Sequence, residues 1–485
     1  MTELPPAALL PLPPLVAERL GALREHPIEP TEKGFGPLRG RASAASLAAA
    51  RPWLPHSGLV YPLLILRESA LANNLAAMAS YCARAGVALA PHGKTAMSPE
   101  LAARQLAHGA WGITVASIGQ LQTYRAFGFP RLLLANELTD TAGIAWLAGE
   151  LAADPGFEAY CYVDSTDGVA ILDRIMRRHP AGRPLPVLVE IGHADGRTGC
   201  RTDEAALAVA KAAQATGTLT VAGVAGYEGT LPGPEGPGGP GGPGGPGGTG
   251  GGQPPVSGGV WGGRPPEETQ VTQFCRRLRA LADALGETDG SRIVTAGGSA
   301  YFDVVTRELT ASGTTPVQVI LRSGAYLTHD HGFYGTVSPA GRGVAGAPAL
   351  RPALELWAQV LSRPEPGLAL LGAGRRDVGF DKGLPIPLRV IGSAGSVSPG
   401  GRPPGTPPIL GGNLPPQTPL GTPLGTITEL NDQHAYLRLD ADAALGPGDL
   451  VALGISHPCT TLDKWRVLVV LNDDDRVIDI VHAFF

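Results

Sequence analysis

Nine apolar runs of strand length follow one another from Tyr61 onward, most of them separated by Ala- and Leu-rich stretches of helical length. The runs are Tyr61–Arg67, Val87–Ala90, Gly112–Ala116, Arg131–Ala135, Glu158–Val163, Pro186–Ile191, Thr218–Gly226, Arg292–Ala296 and Val317–Leu321. The helical stretches include Glu68–Ala85, Pro99–His108 and Asp203–Gln214. Continuously apolar strands need cover on both faces, and intervening helices supply it, so the pattern calls for parallel strands. Nine is one more than a closed (β/α)8 TIM-type barrel requires, and that barrel is the architecture expected. The alternative is an open doubly wound sheet, but no glycine-rich dinucleotide fingerprint follows any early strand.

Beyond residue 350 the pattern changes to short strands with turns, at Leu354–Leu361, Leu368–Leu371, Leu388–Ile391, Gly425–Leu430, His434–Leu439, Asp449–Leu453 and Arg466–Leu471. These read as a separate, mostly antiparallel β domain. The expected division is an N-terminal extension over 1–58, a barrel over 59–330 and a C-terminal β domain over 331–485. Two Gly/Pro-rich stretches, 232–259 and 393–424, lack the apolar residues to bury a core and read as inserts, the first as a disordered loop.

A net charge of −5 offers no basic field to nucleic acid and no polybasic stretch to a membrane surface. Prolines and an early acid in the first twenty residues argue against a signal peptide or a span. The cysteines, Cys82, Cys161, Cys200, Cys275 and Cys459, are odd in number and far apart. A disulfide framework is not expected, and a reducing cytoplasm is.

In a barrel, chemistry gathers where strands end and βα loops begin. The run Val87–Ala90 ends in Pro91-His92-Gly93-Lys94-Thr95, and Ser98-Pro99-Glu100 then opens a helix. A lysine held in a pocket at that point has a lowered pKa and becomes a nucleophile for carbonyl groups. Later rims carry Arg197 in a glycine-rich loop, Tyr227-Glu228-Gly229, Gly297-Gly298-Ser299, and Arg322 followed by Tyr326. The glycine pair can offer backbone N–H groups to a phosphate. An amine, arginines, tyrosines and a phosphate nest at one rim suit an aldehyde-bearing phosphate, and pyridoxal phosphate meets that description. His457 and Cys459, two apart in a segment read as extended, point the same way and offer one nitrogen and one sulfur. That set suits zinc, with water and substrate completing a tetrahedron. A rival pair, His329 and His331, ranks lower because it directly follows the phosphate-facing strand.

Together, Pro91–Thr95, the Arg197 loop, Tyr227–Gly229, Gly297–Ser299 and His457-Pro458-Cys459 resemble the D-serine dehydratase/D-threonine aldolase family. That family belongs to the alanine-racemase-like, fold-type III pyridoxal phosphate enzymes. The resemblance runs from about Tyr61 to Phe485; the two inserts depart from it and residues 1–58 lie outside. It implies that strand 61–67 is lent to the β domain, which makes Val87–Ala90 the first barrel strand. It further implies Lys94 as the Schiff-base lysine, Arg197 near the phenolic oxygen and Tyr227 near the pyridine ring. Gly297, Gly298, Ser299 and Tyr326 match phosphate contacts, and His457 and Cys459 the metal pair. Arg322 stands where alanine racemases put the arginine facing the pyridine nitrogen; whether it or Tyr227 meets that nitrogen stays open. Cysteine at 459 favours the dehydratase branch, since the aldolase branch tends to have an acid there. The implied activity is zinc-assisted dehydration and deamination of a D-β-hydroxy amino acid, D-serine first, by a cytoplasmic homodimer. The alternatives are a D-threonine-type aldolase, a non-catalytic pyridoxal phosphate carrier, and a racemase, which would need no metal pair.

Overall fold

The computed structural model describes residues 9–232, 266–286, 291–311, 313–391 and 424–485. Apart from Pro232 and Leu424, the inserts expected at 232–259 and 393–424 lie outside the described residues. The strands are β1 (Leu63–Arg67), β2 (Ala88–Leu89), β3 (Ile113–Val115), β4 (Arg131–Glu137), β5 (Glu158–Val163), β6 (Leu185–Ile191), β7 (Leu219–Gly226), β8 (Arg292–Ala296) and β9 (Val317–Leu321). After them come β10 (Leu354–Glu365), β11 (Leu368–Leu371), β12 (Ile386–Ile391), β13 (Thr426–Leu430), β14 (Ala435–Arg438), β15 (Leu450–Gly454), β16 (Val467–Leu471) and β17 (Val477–His482).

Strands β2 to β9 form one parallel sheet in the order β2-β9-β8-β7-β6-β5-β4-β3. The ring closes between its ends: His92 bridges to Thr114, and the Trp111 N–H donates to the Leu89 carbonyl at 2.7 Å. Leu133, Tyr162, Leu188, Ile293 and Ile320 fill the interior, so the barrel is a packed core rather than a pore. The crossover helices start where the sequence supplies caps. Ser98, Ser117, Asp140, Ser165 and Thr202 each accept a hydrogen bond from a backbone N–H three residues on.

Strand β1 leaves this ring. It pairs antiparallel with β10 and parallel with β16 in a second, mostly antiparallel sheet. The ninth apolar run thus belongs to the β domain, and β2 is the first strand of the barrel. A buried ionic network secures it: the Arg67 guanidinium lies 2.8 Å from Glu355 of β10 and 2.6 Å from Asp475. The sequence reading had no counterpart for β17, which pairs antiparallel with β16. Its signal is a turn in which Asn472 accepts from the Asp474 and Arg476 N–H groups, followed by alternating apolar residues. No helix among the described residues is long and apolar enough to cross a membrane.

Candidate active site

The loop after β2 is a single 3-10 turn, Gly93–Thr95, and packing fixes its shape. A Cβ on Gly93 would lie 2.6 Å from the Tyr124 hydroxyl, which donates to the Gly93 carbonyl at 3.0 Å. Met97, just beyond, has a left-handed backbone with φ 45°. The chain's last strand holds this bend from the other domain: the Phe484 N–H donates to the Met97 carbonyl at 2.9 Å, and His482 Nδ1 lies 2.8 Å from Glu100.

Lys94 projects from the turn into an open cleft, and its ammonium has no hydrogen-bond partner among the described residues. The enclosing protein lowers its pKa; the Cys459 thiol works the other way, and the Arg197 and Arg322 guanidiniums add to the lowering. Arg322, at the end of β9, is buried and donates to the Tyr162 hydroxyl and the Gly226 carbonyl, while its Nε keeps no acceptor among the described residues. Arg197 is exposed, with its guanidinium carbon 5.3 Å from the centre of the half-buried Tyr227 ring.

The phosphate end differs from expectation. The N–H groups of Gly297 and Gly298 donate to the two carboxylate oxygens of buried Glu228, at 3.1 and 2.6 Å. These donors are therefore aimed at an anion, and the anion they meet is a side chain in the 3-10 turn Glu228–Thr230 that follows β7. Ser299 is half-buried in the turn that follows. Tyr326 is not brought to the cleft: its hydroxyl accepts from Gln105 at 3.1 Å inside the core.

His457 and Cys459 come together, though not by strand alternation. Strand β15 ends at Gly454, Pro458 sits in helical backbone at φ −61°, and Cys459 opens the one-turn helix Cys459–Leu462. Proline's restricted φ starts the turn there, and the turn folds the thiol back onto the imidazole. Cys459 Sγ also lies 3.7 Å from Thr95 Oγ1, beside Lys94, so the β domain contributes to the barrel's rim. Asp381, between β11 and β12, was not found in the sequence. Its Oδ2 is 2.6 Å from His457 Nδ1 and its Oδ1 accepts from the Thr460 hydroxyl at 2.6 Å. Burial would lower the His457 pKa, but hydrogen bonds to Asp381 and Cys459 outweigh it and raise it to about 9. No local signal marks Asp381, because its partner lies 76 positions away.

Tyr334 was also missed. Burial raises its pKa well above the usual range, and Cys459, Tyr227, Asp330 and Asp381 all add to that, while its backbone N–H donates to the Asp330 carboxylate at 2.9 Å. Glu137, Asp164 and Glu190, at the ends of β4, β5 and β6, bring carboxylate oxygens within 4.8 Å of one another. Burial and the neighbouring Glu190 charge push Glu137 up to about 8. The rival pair does not converge on the cleft: His329 is buried with Nδ1 2.9 Å from the Asp330 carbonyl, and His331 Nδ1 is buried without a partner among the described residues.

Two family models match this chain. The alanine racemase N-terminal domain covers residues 66–302, and the putative serine dehydratase domain covers 353–471. A D-threonine aldolase from Arthrobacter sp. is 27% identical over 429 residues, 87% of this chain and 92% of its own. A 3-hydroxy-D-aspartate aldolase from Paracoccus denitrificans is 28% identical over 340 residues, 70% of this chain and 78% of its own. Among solved structures, D-threonine aldolase from Filomicrobium marinum superposes with a TM-score of 0.63 at 20% identity, covering 88% of this chain and 95% of that one. D-threo-3-hydroxyaspartate dehydratase has been solved as a histidine-to-alanine variant and as a cysteine-to-alanine variant in the metal-free form, the two positions two residues apart. These superpose with a TM-score of 0.61 at 18 and 19% identity, covering 90% of this chain and 97 and 99% of theirs.

A parallel barrel with a lysine closing its first strand, joined to a β domain that borrows a strand from ahead of the barrel, defines the class of fold-type III pyridoxal phosphate enzymes. Within that class, this chain is similar to the alanine racemase N-terminal and putative serine dehydratase domain models and, over most of its length, to D-threonine aldolase.

Proposed function

We propose that this chain is a pyridoxal-phosphate-dependent lyase that dehydrates and deaminates a D-β-hydroxy amino acid, with zinc on His457 and Cys459 and D-serine as the simplest substrate. The observation that carries the reading is the meeting of Cys459 with Thr95: it puts a nitrogen–sulfur pair from one domain beside an amine of lowered pKa from the other.

The residues fit the cofactor at its aldehyde end, where Lys94 offers an unpaired amine with a lowered pKa. They fit at the ring, where the Tyr227 face lies under Arg197 and the spare Arg322 Nε is the donor we assign to the pyridine nitrogen. At the phosphate end the Gly297 and Gly298 N–H groups are already oriented toward an anion, and Glu228 must yield for a phosphate to use them. When bound, the cofactor supplies an electron sink for charge at the substrate's Cα. Lys94 would hold it through its amine, and the same Nζ, when free, would accept the Cα proton. The donor set fits zinc as well: Asp381 fixes Nδ1–H of His457, leaving Nε2 and the Cys459 sulfur as ligands. Zinc there would supply a Lewis acid for the departing β-hydroxyl. The same spacing of a histidine and a cysteine in the two dehydratase variants, of which the cysteine variant was solved metal-free, supports this reading.

The names of the two curated relatives favour a second reading, retro-aldol cleavage to glycine and an aldehyde. Product analysis separates the two. With D-serine the expected products are pyruvate and ammonia in equal amounts; glycine as the main product would establish the aldolase instead. Chelation should slow water elimination by about two orders of magnitude, roughly 2.7 kcal/mol of barrier. β-Chloro-D-alanine, with a better leaving group, should be far less affected. Equal loss of both reactions would make the metal structural.

A further inference from the structure

Glu228 is 1% exposed, and its two oxygens accept the Gly297 and Gly298 N–H groups at 3.1 and 2.6 Å. No lysine, arginine or histidine pairs with it among the described residues, so these two amides are what compensate its charge. The amides do not depend on Glu228 for their own placement. The Arg322 N–H donates to the Gly297 carbonyl at 3.2 Å, and the Ser323 hydroxyl lies 3.2 and 3.1 Å from the Gly297 and Gly298 carbonyls. Gly297 has φ 98°, a backbone that glycine adopts without strain. The cradle is thus held from its carbonyl side by the end of β9, which leaves its N–H side free to exchange one anion for another. The space there is small. A Cβ on Gly298 would stand 3.0 Å from the Tyr227 ring and 3.3 Å from Glu228 Oε1. An ionised carboxylate and a phosphate side by side in it would repel each other strongly, away from water.

We propose that Glu228 is an internal competitor for the cofactor's phosphate: it caps the Gly297–Gly298 cradle in the cofactor-free chain and leaves it when a phosphate monoester arrives. The inference rests on the pyridoxal phosphate reading above and deepens it, since loading then requires two charge-assisted hydrogen bonds to break first. Glu228 stands on the short 3-10 turn Glu228–Thr230, closed by the Leu231 N–H on the Glu228 carbonyl at 3.1 Å. Its carboxylate can turn away by side-chain rotation, or by the opening of that one turn, without unpairing a barrel strand. The apparent affinity for a phosphate is lowered according to the fraction of chains whose cradle is capped. Free inorganic phosphate has no ring or aldehyde contacts to offset that cost. The capped cradle therefore discriminates against it and in favour of a phosphate carried on the cofactor.

The test uses the full chain stripped of cofactor and its isosteric variant Glu228→Gln, whose amide carries no charge and can accept from only one of the two N–H groups. Three ligands are titrated by calorimetry: pyridoxamine 5′-phosphate, which has no aldehyde; pyridoxamine, which also lacks the phosphate; and inorganic phosphate. Glu228→Gln should bind pyridoxamine 5′-phosphate about tenfold more tightly, inorganic phosphate by at least as much, and pyridoxamine within about twofold of the wild type. Weaker or unchanged binding of the phosphate ligands, or an equal change for both pyridoxamines, overturns the proposal and makes Glu228 a fixed anchor of the loop. A second measurement needs no variant. In the wild type, a water-soluble carbodiimide with an added amine should label Glu228 when pyridoxamine 5′-phosphate is bound and spare it in the cofactor-free chain, read by peptide mass. A Glu228 that stays protected in the loaded protein equally overturns the proposal. If pyridoxamine 5′-phosphate did not bind at all, the cofactor reading would fall, while the inorganic phosphate titrations would still decide whether Glu228 competes for the cradle.

Discussion

Lys94 and Asp381 show how differently two residues of one site are prepared. Lys94 needs only an amine at a strand end and surroundings that disfavour its charge, and these come from the barrel and its two arginines. Its replacement by alanine should abolish turnover and the borohydride-reducible attachment of the cofactor, because it is the only lysine at a barrel strand end among the described residues. An intact reducible adduct in Lys94→Ala would remove it from its assigned role. Asp381 acts through another residue, by fixing the tautomer and direction of His457. Asp381→Asn should weaken metal binding by roughly 10- to 100-fold, read by competition with a zinc indicator. Cofactor absorbance should be unchanged, since no part of the barrel's rim depends on Asp381.

At the scale of elements, β7 shows a constraint that propensity does not express. Its pairing with β6 shifts register between Val187 and Leu188, opposite the stretch that contains Gly223. A Cβ on Gly223 would fall 1.8 Å from the Ile293 carbonyl oxygen of β8, and backbone cannot step aside as a side chain can. Gly223→Ala should therefore destabilise the protein by about 3 kcal/mol or more, measured as a lower urea midpoint. A midpoint within error of the wild type would show that β7 and β8 can part at little cost. The one-turn helix at Cys459 makes a related point. A proline between the two ligands, which the alternation argument treated as part of an extended run, instead bends the chain and brings them together.

At the scale of the whole molecule, the buried link between β1 and the β domain should govern acid stability. Burial opposes ionisation of Glu355, but the Arg67 charge and its hydrogen bonds outweigh this and hold the carboxyl down at about 2. A folded-state pKa below the unfolded value of about 4.3 gives stability that is full above that value and is lost as pH falls through about 2. On the order of 3 kcal/mol should disappear across that window, at about 1.4 kcal/mol per tenfold change in proton affinity. Glu355→Gln should remove this part of the acid dependence and lower stability at neutral pH, by leaving the Arg67 guanidinium short of a partner. Denaturant titrations of both proteins at pH 3 and pH 7 would show it; parallel pH profiles would place the acid sensitivity elsewhere.

The order and kind of the barrel elements were legible because they rest on local patterns. Apolar continuity marks parallel strands, and Ser, Thr and Asp caps mark helix starts, all within a few residues of chain. By themselves these patterns determined the eight-stranded barrel, the mostly antiparallel second sheet and the position of Lys94. Whether β1 would join the ring or the β domain was not in its own residues, since Leu63 to Leu66 are apolar enough for either; the family resemblance pointed to the β domain. Its partners Glu355 and Asp475, some 290 and 400 positions on, decided it. The same holds for Asp381 on His457, Glu228 on the glycine N–H groups, and Tyr326 turned to Gln105. A hydrogen bond or a charge pair is decided by which groups share a space of a few ångströms, and in a chain of this length only tertiary folding determines who those neighbours are.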